Sequence, residues 1–274
     1  MSNVIIGVHG LSNKPPAEVL AEGWNNAILE GLAKNQKITR KEINFQSVYW
    51  ADVMYDNPDP NPDLYKAAKP GALKRYKDSW QDYLWAQALD FGGDILDAAK
   101  KLVGLDAAAD HVLEKKLQDL HKYYTDKAKR TELRDRLKKA IRKNSDKRIM
   151  LVSHSMGSII AYDTLRELGR EEPKLAITHF VTIGSPLGLP HVKYQIIKES
   201  SLVRAPSIVQ SWTNLADRRD PVAFDVYLRD DYEPNAADVR VKDDLVMNDW
   251  GGIHHKSYGY LRTPEFTDIV RTFI

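Results

Sequence analysis

The stretch from Arg148 to Leu168 constrains the fold more than any other part of the chain. Ile149-Met150-Leu151-Val152 is a continuous apolar run, the pattern of a strand buried on both faces of a parallel sheet. It passes with almost no loop into Met156 to Leu168, where the apolar residues follow helical spacing. A strand that turns straight into a helix puts Ser155 on a sharp, strained corner at the carboxyl end of the sheet, with its hydroxyl expected to be exposed there. Ser153 and Gly157, two positions to either side, are small enough to let strand and helix pack closely.

The rest of the chain repeats that alternation. Val4 to Val8 reads as a buried strand, and Val19, Leu20, Trp24, Ile28, Leu29 and Leu32 mark a helix. Strands are expected at Ile43 to Trp50, Ile177 to Ile183, Ile208 to Thr213 and Val239 to Met247. Thr263 to Ile274 closes the chain as a helix, with Thr263 as N-cap and Pro264 in its first turn. The expectation is an α/β fold in one domain spanning residues 1–274, its mostly parallel sheet covered by helices on both faces.

One segment departs from the pattern. After Asp52 comes a proline-rich turn region, Asp56 to Pro62, and from about Leu73 to Asn144 the sequence looks helical without a strand. Residues 52–130 therefore read as a helical insertion, and its last helix, about Thr131 to Lys143, returns to the sheet. Trp80, Tyr83, Trp85 and Phe91 give the insertion its own apolar content, as a small core or as a cap over the carboxyl edge. From Lys122 to Arg148 there are 12 basic and 4 acidic residues, an excess of +8. The ordinary expectation for such a run is a solvated helix face, the less ordinary one attraction to anionic headgroups.

Composition narrows the chemistry. With no cysteine, disulfides, thiolate catalysis and cysteine-metal sites are excluded. A formal charge of +2 on 274 residues argues against a nucleic-acid partner. No apolar run approaches the roughly 18 residues that span a bilayer, so no stable membrane insertion is expected. If Met1 is the native start, the default location is the cytoplasm. No Walker loop, dinucleotide fingerprint or metal-ligand cluster appears, so neither a cofactor nor a metal is implied.

Leu151-Val152-Ser153-His154-Ser155-Met156-Gly157 resembles the nucleophile corner of the α/β-hydrolase superfamily, particularly its lipase and serine-esterase branches. The likeness extends over Val4 to Trp50 and from about Thr131 to the C-terminus, not over the insertion. It implies an α/β-hydrolase fold with Ser155 as nucleophile, followed in chain order by an acid and a histidine base. Four histidines follow Ser155: His179, expected in a buried strand, His191, which comes early, and the adjacent His254 and His255. His255-Lys256-Ser257-Tyr258 is similar to the histidine-x-x-tyrosine arrangement of lipase-like members, which favours His255. Asp220-Pro221-Val222 matches the step that often carries the acid there, which favours Asp220 over Asp217 and Asp225. Val8-His9-Gly10-Leu11 resembles the histidine-glycine turn of lipases, so the N–H groups of Leu11 and Met156 are the expected oxyanion donors, with Gly10 admitting the substrate. His9, Gly10, Trp80 and Trp85 are the expected substrate contacts. The resemblance implies a cofactor-free serine esterase acting on a small-molecule or lipid ester. A thioesterase, peptidase or acyltransferase would use the same residues, and a non-catalytic binding protein of this fold is the alternative of another class.

Overall fold

The computed structural model describes residues 2–62, 64–77, 120–223, 225–251 and 254–274. Six strands form one parallel sheet in the order β2-β1-β3-β4-β5-β6. They are β1 (Asn3–Val8), β2 (Phe45–Val48), β3 (Arg148–His154), β4 (His179–Ile183), β5 (Trp212–Ala216) and β6 (Val241–Leu245). The helices are α1 (Ala17–Gln36), α2 (Ala51–Met54), α3 (Lys127–Lys143), α4 (Met156–Glu171), α5 (Pro190–Ser200), α6 (Ser257–Leu261) and α7 (Pro264–Phe273). Residues 120–125 are also helical.

Strand alternation divides the core in two. Val4, Ile6 and Val8 of β1, Ile149 and Leu151 of β3, and Phe180 of β4 point to one face, against Leu133 and Leu137 of α3, Ile159 and Leu165 of α4, and Val192 of α5. Their neighbours Ile5, Met150, Val152 and Val181 point to the other face, against Trp24 and Ile28 of α1, Tyr260 of α6 and Phe266 of α7. Both faces of the sheet are thus covered, as an all-parallel sheet requires. Thr263 caps α7 by accepting from the Phe266 N–H.

Several boundaries move. The expected strand Ile208 to Thr213 lies instead at Trp212–Ala216, and Ile208 and Val209 precede it as buried coil with a single bridge, Val209 to Ile177. The reason is polar: β5 buries Thr213 and Asn214, and the Asn214 amide is occupied by Thr182, Val226 and Asp243. An apolar pattern cannot find a strand whose central residues are satisfied by side-chain hydrogen bonds. Strand β2 is shorter than Ile43 to Trp50 because Ala51–Met54 already turns into α2. Helices α5 and α6 were not anticipated, and residues 73–77, expected to be helical, have no regular secondary structure.

The described ends of the insertion dock on opposite faces. Residues 64–77 cross α1 and α7: Glu30 accepts from the Tyr65 hydroxyl and the Ala68 N–H, and Glu265 accepts from the Tyr76 N–H. Leu120 and Tyr123 join the core on the α3 and α4 side. Trp80, Tyr83, Trp85, Phe91 and the expected cap lie outside the described residues.

One side of the basic run is paired, and the other is solvated. Arg130, Arg134, Lys138 and Arg142, four residues apart on α3, meet Asp163, Glu167 and Glu171 at the same spacing on α4. These pairs engage four of the 12 basic side chains, while Lys122, Lys127, Lys139, Lys143 and Arg148 are exposed.

Candidate functional site

The corner at Ser155 has the strain that the sequence pattern implies. Ser155 is the N-cap of α4 with φ 54° and ψ −132°, a combination that L-residues hold only where the surroundings enforce it. The enforcement comes from both sides. The Ser155 N–H donates to Ile183 O on β4 at 3.1 Å, and Ser155 O accepts from the Ser158 N–H at 2.8 Å. Any Cβ at position 157 would lie 2.5 Å from His9 O and 2.6 Å from Val8 O, so only glycine lets α4 start this close to β1. Ser153 fills its place fully buried, its Oγ 3.5 Å from Val181 O. Ser155 itself is 1% exposed, not open to solvent as expected.

The β1 turn meets this corner directly. A Cβ on Gly10 would fall 2.6 Å from Ser155 Cβ, so the backbone of Gly10 lies against the serine. His9, expected to touch substrate, does something else. Its ring is buried and stacks on Trp50 with centroids 4.4 Å apart. Its Nε2 accepts from the Trp50 N–H at 3.0 Å, while Nδ1 lies 2.9 Å from Gly10 O. A carbonyl only accepts, so Nδ1 carries the proton and the ring is neutral. Burial, with Lys14 adding repulsion, lowers the His9 pKa to about 3. Because N–H and C=O point oppositely across a planar trans peptide, gripping Gly10 O turns the Leu11 N–H the other way. His9 therefore braces the turn. Met156 N–H belongs to the first turn of α4, where backbone donors have no intrahelical partner.

The acid and base candidates separate cleanly. His255 is buried, and its Nδ1 lies 2.8 and 2.7 Å from the two carboxylate oxygens of Asp220. Asp220 also accepts from the Val222 N–H at 2.9 Å and the Tyr260 hydroxyl at 2.7 Å. The His255 ring is 4.6 Å from that of His154, the residue before Ser155. His254, with φ 54°, turns away and places Nδ1 3.0 Å from Asn248 O. Asp217 is as buried as Asp220, but it is occupied by Arg219 and by the Asn248 N–H. Asp225, expected to be solvated, is half-buried. Burial, with the Asp231 carboxyl beside it, pushes its pKa up to about 6. His179 sits at the amino end of β4 on Thr213, and His191 is exposed on α5.

Two residues at this site were missed by the sequence reading. Tyr258, the tyrosine of the recognised arrangement, packs at Gly23, Tyr65 and Trp250, whereas Tyr260 holds Asp220. His154 donates from Nε2 to the backbone oxygen of His255 at 2.7 Å. Neither had a sequence signal beyond its closeness to a recognised residue. Among the described residues no group of three or more His, Cys, Asp or Glu could hold a metal ion, and no helix is long and apolar enough to cross a membrane.

A parallel sheet wrapped by helices, with a strained serine at the carboxyl end of its third strand, defines an α/β-hydrolase fold. Residues 109–208, which include that corner, match a family model described as "Alpha/beta hydrolase of unknown function (DUF900)". Over these 100 of its 274 residues the chain is similar to that family. A crystal structure from Xanthomonas campestris pv. campestris, described as a "putative hydrolase of the alpha/beta superfamily", is similar at 11% identity over 99% of each chain, with a TM-score of 0.33. No curated protein matches the chain.

Proposed function

We propose that the chain is a serine hydrolase that cleaves carboxylic esters through a covalent acyl-enzyme. One observation carries the reading: a buried carboxylate orients the buried His255 imidazole, whose ring lies 4.6 Å from that of His154, next in sequence to the strained Ser155 corner. In this scheme Ser155 Oγ attacks the ester carbonyl carbon and its proton passes to His255 Nε2. Asp220 holds the opposite nitrogen and stabilises the imidazolium that forms. The oxygen of the tetrahedral intermediate takes the negative charge and is received by the N–H groups of Leu11 and Met156. When the intermediate collapses, the bond to the alcohol breaks and the alcohol leaves with the proton from His255. Water then repeats the sequence, releasing the acid and restoring Ser155.

The test is a purified protein offered a fluorophosphonate probe and a panel of p-nitrophenyl esters, thioesters and anilides. Wild type should take one label, at Ser155, and turn over esters first. Ser155→Ala should lose both, with turnover falling on the order of 10⁴- to 10⁶-fold. A folded Ser155→Ala protein that keeps wild-type turnover would sink the assignment. Preference for thioesters or anilides would keep the residues and change the substrate class. A wild type without label or turnover would favour a binding role for the fold.

A further inference from the structure

We infer that His154 is a positioning residue, whose Nε2–H anchors the backbone of His255 and so fixes the base relative to the nucleophile next to it in sequence. The inference rests on the hydrolase reading of Ser155 and His255. His154 is buried and its Nε2 lies 2.7 Å from His255 O. A backbone carbonyl only accepts, so that nitrogen must carry the hydrogen. The ring is wedged in place: its centroid is 4.6 Å from that of His255, and a Cβ on Gly10 would come 2.9 Å from its Nδ1.

The loop that delivers His255 needs such an anchor. It follows β6, which ends at Leu245, and precedes α6, which begins at Ser257; the described residues between them belong to no helix or strand. Asp220 fixes the ring of His255, but a ring held at one nitrogen can still pivot if its Cα moves. Two successive carbonyls of the loop are held by side chains: His255 O by His154, and Lys256 O by the Asn248 amide at 2.9 Å. Only the first of these donors is covalently adjacent to Ser155. His154 therefore couples nucleophile and base through a single residue. A displacement of about 1 Å between reacting groups costs on the order of 100-fold in rate, so the anchor acts on the chemical step rather than on binding.

The experiment compares His154→Phe, which keeps a planar ring without the donor, with His154→Gln, whose amide N–H reaches nearly the same point. With p-nitrophenyl acetate, His154→Phe should lose roughly 10- to 100-fold in kcat while KM changes less than about twofold. His154→Gln should return to within roughly fivefold of wild type. Fluorophosphonate labelling of Ser155 should slow in parallel, and the melting temperature should not track the loss. His154→Ala, which needs no space, is the second donor-free variant and should fall as His154→Phe does. Wild-type kcat in either donor-free variant, or a glutamine variant as slow as phenylalanine, would overturn the role of His154 and leave Ser155 standing. A wild type that takes no label would overturn the hydrolase reading, and this inference with it.

Discussion

Two parts of the molecule set buried carboxylates against basic side chains, and they are built in opposite ways. Between α3 and α4 the pairs form a ladder that grades into solvent. Asp163 at its inner end is 3% exposed in its side chain, Arg142 at its outer end 46%. Two of its cations reach two carboxylates each: Lys138 meets both Glu167 and Glu171, and Arg130 meets Asp163 on α4 and Glu199 on α5. At the carboxyl edge of the sheet the partners differ in kind. Asp220 is sealed from water and accepts from an imidazole, a hydroxyl and a backbone N–H. Charges that join helices are interchangeable and water can replace them. In the proposed mechanism Asp220 must orient one particular imidazole and stabilise it when it takes the serine proton.

Removing Asp220 is the strongest way to test that contrast. Asp220→Asn should keep the packing but reverse what position 220 offers to His255 Nδ1, lowering kcat by on the order of 10⁴-fold. His254→Ala, one residue from the base, should retain most of the turnover. Equal losses in the two variants would mean that the loop, not the pairing, matters. The ladder has one sensitive rung. Asp163→Ala leaves the buried Tyr123 hydroxyl without its acceptor, 2.7 Å away, and leaves Arg130 to Glu199 alone, and should lower stability by about 1–3 kcal/mol in denaturant titrations. Esterase activity per folded molecule should be unchanged.

Acid should weaken the molecule through two histidines that burial keeps neutral. The pKa of His9 is lowered to about 3 and that of His179 to about 4, mainly by burial, with Lys14 and Lys242 adding repulsion. Their folded values lie below the unfolded one, so the unfolded chain takes up protons first once the pH drops below about 6.5. Stability is therefore complete above that pH and declines toward the folded values. For His9 the slope should reach about 1.4 kcal/mol per pH unit, and less for the half-buried His179. Thermal melts between pH 7 and 5 measure it, and His179→Gln should flatten the decline. A melting temperature level across that range would rule out neutral buried rings. The smallest effect belongs to the middle of the ladder. Arg134→Ala should cost no more than about 1 kcal/mol, less at high salt, because Arg134 and Glu167 both keep contact with water. A loss as large as that of Asp163→Ala would erase the distinction between inner and outer rungs.

A resemblance to lipase-like hydrolases pointed to Asp220 and His255 as the pair to examine. The sequence by itself determined the parallel sheet and the corner at Ser155, through local signals: apolar runs, helical spacing and small residues flanking a serine. Each is set by residues adjacent in the chain, so each survives without knowledge of the rest. Tertiary structure decided the remainder. Asp217 and Asp220 are equally buried and three residues apart, and only the arrival of Arg219 on one and of His255, 35 residues away, on the other tells them apart. His254 and His255 share a loop, and the left-handed dihedral at His254 is what sends the two rings in different directions. Tyr260 replaced Tyr258 for the same reason: α6 turns one tyrosine toward Asp220 and the other toward Trp250. Side-chain direction follows from backbone geometry and packing between distant segments. No pattern of neighbours in sequence encodes it.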